Sequence, residues 1–269
     1  MRKSFCVCVF LSVMVMVNIC RATVAGGLTR QQVAAPGQTY SDSISIRSDT
    51  NEPAEYIIYQ TDYLFNARGE NFYHQPPGQH PRSNAGWIEL SRHQVVVPPL
   101  QTVKVNYTVN VPDDPNLVGT YWSIIMVEVV PPTSPKGSLA QKIPESRMSV
   151  NQIIRYGVQM ITHIGSTGER QLKFMDTKVV RDTEKRLLQV DVENTGQRWL
   201  RPVLWTELYD ESGNYVGRFE ARKRRIYPTT SVRYRVDVTN LEPGQYNALV
   251  VADAGDDDIF GANYSLKLN

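Results

Sequence analysis

Residues 98–121, PPLQTVKVNYTVNVPDDPNLVGTY, and residues 228–246, PTTSVRYRVDVTNLEPGQY, carry one pattern twice. In each copy a proline precedes a segment that is apolar at every second position, and a turn then leads to Gly-x-Tyr. The alternating positions are Val103, Val105, Tyr107, Val109 and Val111 in the first copy, and Val232, Tyr234, Val236 and Val238 in the second. A period of two is typical of a strand with one buried face and one face in water. Two copies about one domain apart therefore predict two β-sandwich domains in tandem.

The rest of the chain agrees with this prediction. Short apolar segments are separated by turn-forming residues at regular spacing, and no segment has a convincing helical period. We predict an all-β protein of two tandem immunoglobulin-like β-sandwich domains. The N-terminal domain is expected over residues 26–165 and the C-terminal domain over residues 166–269. Residues 66–85 contain several prolines and glycines and are expected to form a long loop.

The recurring Gly-x-Tyr also makes a local prediction. In immunoglobulin-like domains a tyrosine at this place often forms a tyrosine corner, in which its hydroxyl bonds to the backbone a few residues upstream. We expect such corners at Tyr121 and Tyr246.

The N-terminal segment predicts the compartment. Arg2 and Lys3 precede an apolar run that ends near Val17, and small residues follow at Ala22 and Ala25. This order is typical of a secretory signal peptide, here residues 1–25, with cleavage after Ala25 or, alternatively, after Ala22. A retained N-terminal anchor is the competing interpretation, but the apolar run is short for a membrane span. We expect a protein that is exported across the inner membrane to the periplasm. Association of this protein with the cell surface is the alternative.

The cysteines and the net charge argue against thiol chemistry and nucleic-acid binding. All three cysteines, Cys6, Cys8 and Cys20, precede the cleavage site, so the mature chain would have no disulfide and no thiol nucleophile. Without residues 1–25, Lys+Arg falls from 29 to 26 while Asp+Glu stays at 27, so the net charge changes from +2 to −1. This balance gives no reason to expect a nucleic-acid partner. No second apolar stretch is long enough to span a membrane in the mature chain.

The sequence contains none of the common catalytic or metal-binding motifs. The sequence has no Gly-x-Ser-x-Gly, no phosphate-binding loop and no His-Glu-x-x-His. The four histidines are scattered, and the aspartates at 253 and 256–258 match no calcium-loop spacing. We therefore expect no enzyme activity, no metal site and no cofactor.

The order of motifs resembles the periplasmic pilus (fimbrial) chaperones, the PapD-like family, and more broadly the tandem immunoglobulin-like proteins of bacterial envelopes. An early strand carries Thr29 and Arg30, and a proline-rich approach precedes the strand from Val103. An aromatic strand then runs from Tyr121 to Val130 and ends in Pro131-Pro132. A polar loop and a long strand near residues 154–160 follow. The resemblance covers most of the mature chain and is most specific between Trp122 and Pro132.

This resemblance implies a way of binding. In the family, the long strand is donated to an incomplete pilus subunit, and two basic residues anchor the subunit's C-terminal carboxylate. The positions that match the donor stripe are Ile154, Tyr156, Val158 and Met160, and those that match the anchors are Arg30 and Arg155. Two alternatives stay open: the stripe is the inner face of an internal strand, and the arginines are unrelated surface residues. Tyr156 is large for a donor position, Gly157 interrupts the strand, and the family usually has lysine where Arg155 stands.

The sequence therefore favours a non-catalytic chaperone-like protein that binds pilus or surface-protein subunits by strand donation. The alternative is a structural or adhesive envelope module that binds through loops or through the basic run Arg222, Lys223, Arg224 and Arg225. Pairing of strand edges would also allow a homodimer.

Overall fold

The computed structural model describes residues 22–131, 154–255 and 257–269. The first half of the described chain forms two facing β-sheets. Its strands are β1 (Ala22–Ala25), β2 (Thr29–Ala34), β3 (Thr39–Ser48), β4 (Ala54–Phe65), β5 (Asn71–His74), β6 (Ile88–Leu90), β7 (Gln94–Val97), β8 (Thr102–Asn110), β9 (Gly119–Val129) and β10 (Arg155–Ile164). One sheet has the order β1-β3-β8-β6, and the other has the order β2-β10-β9-β4-β5, with β7 also paired to β4.

Alternating apolar residues fill the space between these sheets. From the first sheet, Ile44 and Val105 are fully buried, and from the second, Ile58 and Ile125 meet them. Full burial of such a side chain stabilises the fold by about 1.5–3 kcal/mol. The polar residues of β8 predicted for the wet face, such as Lys104 and Asn106, are exposed. The period of two in the sequence thus corresponds to the two faces of the sheet.

The second half repeats this architecture with fewer strands. They are β11 (Leu172–Asp182), β12 (Lys185–Asn194), β13 (Val203–Asp210), β14 (Tyr215–Glu220), β15 (Ser231–Asp237), β16 (Gly244–Asp253) and β17 (Ile259–Leu268). The sheets have the orders β11-β12-β15 and β14-β13-β16-β17. Leu188, Leu204, Val236 and Val250 form the centre of a separate core. The predicted fold class, two β-sandwich domains in tandem, is confirmed, and the chain passes from one to the other between Ile164 and Leu172.

Strand β1 bears on the predicted signal peptide. It pairs antiparallel with β3, and Val24 lies opposite Ile46 and is buried in the N-terminal core. Cleavage after Ala25 would remove this strand, whereas cleavage after Ala22 would leave Val24 in place. The predicted leader up to residue 21 lies outside the described residues. No helix of the described chain is long and apolar enough to cross a membrane.

Two local predictions have different outcomes. The Tyr246 hydroxyl donates to the carbonyl of Glu242 at 2.8 Å, which confirms a tyrosine corner in the second domain. In the first domain the ring of Tyr121 lies against Trp87 instead, with a centroid separation of 4.7 Å.

The expectation of a long loop over residues 66–85 is wrong in part. Residues 71–74 form β5, which continues the sheet beyond β4 through a tight turn at Asn66–Glu70. The prolines that suggested a loop come after this strand. The local composition of the segment therefore concealed the strand pairing.

Candidate functional site

Strand β10 has one edge that is covered over only part of its length. On one side it pairs with β9 from Arg155 to Ile164, and on the other it pairs with β2 only from Gln159 onwards. The Gln159 N–H donates to the carbonyl of Leu28 at 2.9 Å and so points to the β2 side. Because backbone groups alternate along a strand, those of Arg155 and Gly157 point to that side too. No strand of the described chain pairs with residues 155–158 there, which leaves a short open edge.

The predicted donor stripe lies on the inner face of β10. Val158 and Met160 are 0% and 1% exposed and belong to the N-terminal core. Tyr156 is half-buried and packs against the same core, and Ile154 is half-buried just before the strand begins. Val158 and Met160 are thus part of the chain's own core, while Ile154 and Tyr156 lie beside the open edge. A donor role for all four stays a prediction.

The two predicted anchors lie apart. Arg30 is opposite Met160 in the register, so five residues of β10, or roughly 16 Å, separate it from Arg155. Arg30 donates from Nη1 to the carbonyls of Gly26 (2.6 Å) and Gly27 (3.1 Å). Arg155 is exposed and forms an ion pair of 2.9 Å with Glu128 on β9. The two arginines thus lie five register positions apart on the backbone, and their role as carboxylate anchors stays a prediction.

The contact between the domains is built around Gln159. Its Oε1 accepts from Tyr227 Oη at 2.7 Å and from Arg225 Nη1 at 2.9 Å. The Tyr227 ring stacks on Trp122 with centroids 4.8 Å apart and planes 7° apart, and both rings are almost fully buried. Burial raises the pKa of Tyr227 to about 12, against the smaller opposing effect of Arg225, so its hydroxyl stays protonated and donates. These contacts fix the second domain against the outer face of β9 and β10.

A second set of aromatic contacts lies beside the first. The Arg225 guanidinium stands 4.6 Å from the centroid of the Trp199 ring, and His163 stacks on the same ring at 5.7 Å. Thr120 Oγ1 accepts from the backbone N–H of Trp199 at 3.0 Å. The same hydroxyl lies 2.9 Å from His163 Nδ1 and can donate its proton to that nitrogen. Burial, with Arg198 and Arg225 nearby, lowers the pKa of His163 to about 4. This histidine is therefore neutral at pH 7 and has a structural place in the domain contact.

Next to this contact the domains enclose an open cleft of about 830 Å³. From the N-terminal domain it is lined by Tyr63 and Phe65 of β4, by the turn to β5 and by Gln159 of β10. From the C-terminal domain it is lined by residues 221–225, Tyr227 and residues 232–235. Most of the charged residues around it are cations: Arg68, Arg222, Lys223, Arg224, Arg225, Arg233 and Arg235, against Glu70. The basic run noted in the sequence thus forms one wall of an interdomain cleft.

Sequence analysis missed most of this site. Gln159 and Tyr227 carry no motif, and they meet only because the two domains pack together. Trp122 was singled out as part of the family resemblance, and Arg225 as part of the basic run. Within residues 22–131, 154–255 and 257–269 no group of three or more histidine, cysteine, aspartate or glutamate side chains is placed to hold a metal ion.

Comparisons with known proteins give a likeness of structure alone. No family model matches the sequence, and no curated protein matches it. The class 5 fimbriae chaperone CfaA is similar with 13% identity and a TM-score of 0.47, over 91% of this chain and 99% of that one. The Escherichia coli chaperone DraB has 12% identity and a TM-score of 0.43, over 90% of this chain and 98% of that one.

A third similar structure is the CsuC–CsuE chaperone–tip subunit complex from Acinetobacter baumannii pili. It shows 12% identity and a TM-score of 0.46, over 91% of this chain and 98% of the matched chain. These likenesses concern the fold, and the function is inferred below from the chain's own residues. The similar solved structures named here are of pilus chaperones, the family that the sequence resembles.

Proposed function

We propose that this protein is a non-catalytic, chaperone-like binder of pilus or surface-protein subunits, which pairs its β10 strand with an extended segment of the partner. The observation that carries the proposal is the open edge at residues 155–158. Strand addition requires unpaired backbone donors and acceptors at a sheet edge, and Arg155 and Gly157 direct theirs to this side. The partner's backbone would supply the missing hydrogen bonds.

The side chains beside the edge would add selectivity. Ile154 and Tyr156 lie next to it, and both are half-buried. Val158 and Met160 are less available, because removing each from the core would cost about 1.5–3 kcal/mol. We therefore assign side-chain recognition to Ile154 and Tyr156, and backbone pairing to the strand from Arg155 to Val158.

The proposed compartment is the periplasm, which the predicted signal peptide supports. A protein that holds subunits there needs a stable fold without disulfides, since the sequence after residue 25 contains no cysteine. The two separate cores provide that stability. The same open edge would also allow two copies of this chain to pair in the absence of a subunit.

A proline substitution at the open edge tests the proposal. Gly157→Pro removes an N–H that points to the open side, so the pairing with β9 should survive. Gly157→Ala is the matched control, because it adds a Cβ 3.2 Å from Ile124 Cγ2 but keeps the N–H. Each variant, with its signal peptide and a C-terminal tag, is purified from the periplasm, and stoichiometric partners are identified by mass spectrometry.

We expect a subunit to co-purify with the wild type and with Gly157→Ala, and to be lost with Gly157→Pro. Hydrogen exchange on the complex should show new protection of the Arg155 and Gly157 amides. Strand pairing would be overturned if the subunit stays with Gly157→Pro and the Arg155 and Gly157 amides of the wild-type complex are unprotected. That result would favour the structural or adhesive envelope module.

A further inference from the structure

The interdomain cleft carries an excess of positive charge that the described chain does not neutralise. Arg68, Arg222, Lys223 and Arg224 are exposed, and none of them forms an ion pair with an acidic residue of the described ranges. The acid that lines the cleft, Glu70, accepts a hydrogen bond from Asn66. Arg233 differs from these cations, because it is neutralised by Asp191 through two bonds of 2.7 Å.

These cations stand on anchored backbone. The basic run is held at one end by the Ala221 N–H, which donates to the carbonyl of Leu204 at 2.8 Å. At the other end the buried residue Ile226 exchanges two backbone hydrogen bonds with Leu200, at 3.0 and 2.8 Å. Arg68 faces the cleft from the other domain, on a turn whose Ala67 N–H donates to Ser231 Oγ at 3.0 Å. Positive charge is thus presented by both domains.

Aromatic side chains line the cleft beside the cations. Tyr63 and Arg224 both line the cleft, and burial raises the pKa of the Tyr63 hydroxyl, with Arg224 acting against this rise. Tyr63 stacks on Tyr73 at 5.4 Å, and the Phe65 ring packs against Tyr227 at 5.9 Å. Side chains of this kind, with one apolar face and one hydroxyl, suit an extended peptide as well as isolated carboxylates.

Gln159 of β10 lines the cleft and directly follows residues 155–158 in the chain. One strand therefore contributes to both the open edge and the cleft. We propose that the cleft binds an acidic, Asp- and Glu-rich segment of the protein partner, through Arg68, Arg222, Lys223 and Arg224. This inference rests on the proposed function, in which the partner is a protein, and it adds the chemistry of a second contact with that partner.

Charge reversal tests the inference on the full mature chain. The probe is a synthetic ten-residue peptide of alternating Glu and Ser, and the same peptide with Gln for Glu is its control. The variant is Arg222→Glu/Lys223→Glu/Arg224→Glu. The matched control is Arg92→Glu/Lys104→Glu/Lys267→Glu, which reverses three exposed charges that do not line the cleft. Binding is measured by titration calorimetry at two salt concentrations.

We expect the Glu peptide to bind the wild type and the control variant with equal affinity. Its affinity for the cleft variant should be lower by a factor of about ten or more. The affinity should fall as salt rises, and the Gln peptide should bind far more weakly. Equal binding to both triple variants would overturn the inference. Tighter binding of a sulfated heparin fragment or of phosphatidylglycerol vesicles than of the Glu peptide would overturn it in favour of that polyanion.

Co-purification separates this inference from the proposed function. A subunit lost with Gly157→Pro but retained by the cleft variant would support strand pairing and overturn the acidic contact. A subunit lost with the cleft variant but retained by Gly157→Pro would support the acidic contact and overturn strand pairing. Binding of the Glu peptide should be unchanged in Gly157→Pro, because this substitution alters no cation of the cleft.

Discussion

At the residue scale, a single buried carboxylate organises the segment that follows β5. Asp62 is 1% exposed and accepts from the backbone N–H groups of Gly78, Gln79 and His80 at 2.8–2.9 Å, and from the Ser83 hydroxyl. Burial alone would raise the pKa of Asp62, but these donors outweigh it and the pKa is lowered. The His80 ring in turn lies 5.2 Å from Trp122, so this carboxylate supports the domain contact.

Replacing Asp62 should therefore cost stability in a pH-dependent way. We expect Asp62→Asn to lower the free energy of unfolding by about 1–3 kcal/mol at pH 7, because an amide cannot accept all four hydrogen bonds. A lowered pKa stabilises the fold fully above the unfolded value of about 3.9, and this contribution is lost progressively as the pH falls from there through the lower pKa of the folded state. Urea unfolding at pH 7 and pH 3 measures the difference, and a gap between wild type and variant that does not narrow from pH 7 to pH 3 would contradict the explanation.

His163 should produce a separate pH effect at the domain contact. Its pKa is lowered to about 4 in the fold, against about 6.5 when unfolded, so the unfolded chain takes up a proton between these values while the fold does not. Above pH 6.5 the histidine is neutral in both states and the shift has no effect on stability; as the pH falls towards 4 the fold loses on the order of 2–3 kcal/mol. Denaturant unfolding at pH 7 and pH 4.5 should show a larger loss for wild type than for His163→Gln. Parallel losses would exclude the histidine as the cause.

At the element scale, the start of β9 meets the second domain through glycines. Gly119 has a φ of +77°, and a Cβ built on it would lie 2.1 Å from the carbonyl oxygen of Gln197. That same carbonyl accepts from the Thr120 N–H at 2.9 Å. A Cβ on Gly168, which has a φ of +92°, would lie 2.5 Å from the Gly119 Cα. The approach of the two backbones therefore requires glycine at both positions.

Gly119→Ala should separate these backbones. We expect a loss of about 2–4 kcal/mol in the free energy of unfolding, since the backbone strain is joined by a direct overlap. Gly213→Ala is the matched control, because Gly213 has a φ of +82° but nothing within 4 Å of its missing Cβ, and it should cost only the strain. Thermal unfolding measures the loss in the free energy of unfolding for both variants. Equal losses would contradict the prediction, because they would show that the backbone shifts to remove the overlap with Gln197.

At the scale of the whole molecule, two sandwiches are joined by an aromatic contact that resists separation. Trp122 and Ile161 from the first domain enclose Tyr227 from the second, with Phe65 and Trp199 packed around them. Burial of large aromatic side chains contributes several kcal/mol to such a contact. The orientation of the domains, and with it the width of the cleft, depends on this cluster.

Tyr227→Ala should uncouple the domains. We expect a loss of about 3–5 kcal/mol and a division of the unfolding transition into two, because each domain keeps its own core. Tyr227→Phe keeps the stack on Trp122 and removes the hydroxyl, which donates to Gln159 and accepts a longer bond of 3.5 Å from Arg225, so it should cost about 1 kcal/mol and stay a single transition. Tryptophan fluorescence and circular dichroism, followed together in urea, distinguish these results, and one coincident transition for Tyr227→Ala would contradict the role given to the stack.

The amino-acid sequence by itself determined the fold class, because a period of two in apolar residues has one structural meaning wherever a face is buried. The strands from Val103 and Val232 and the corner at Tyr246 followed from such local patterns. The pairing of β5 and the half-covered edge of β10 were decided by tertiary structure, since an internal strand and an edge strand alternate alike in sequence. The contact between Gln159 and Tyr227, and the five register positions between Arg30 and Arg155, were also decided there, because the placement of distant residues depends on register and domain packing rather than on local composition.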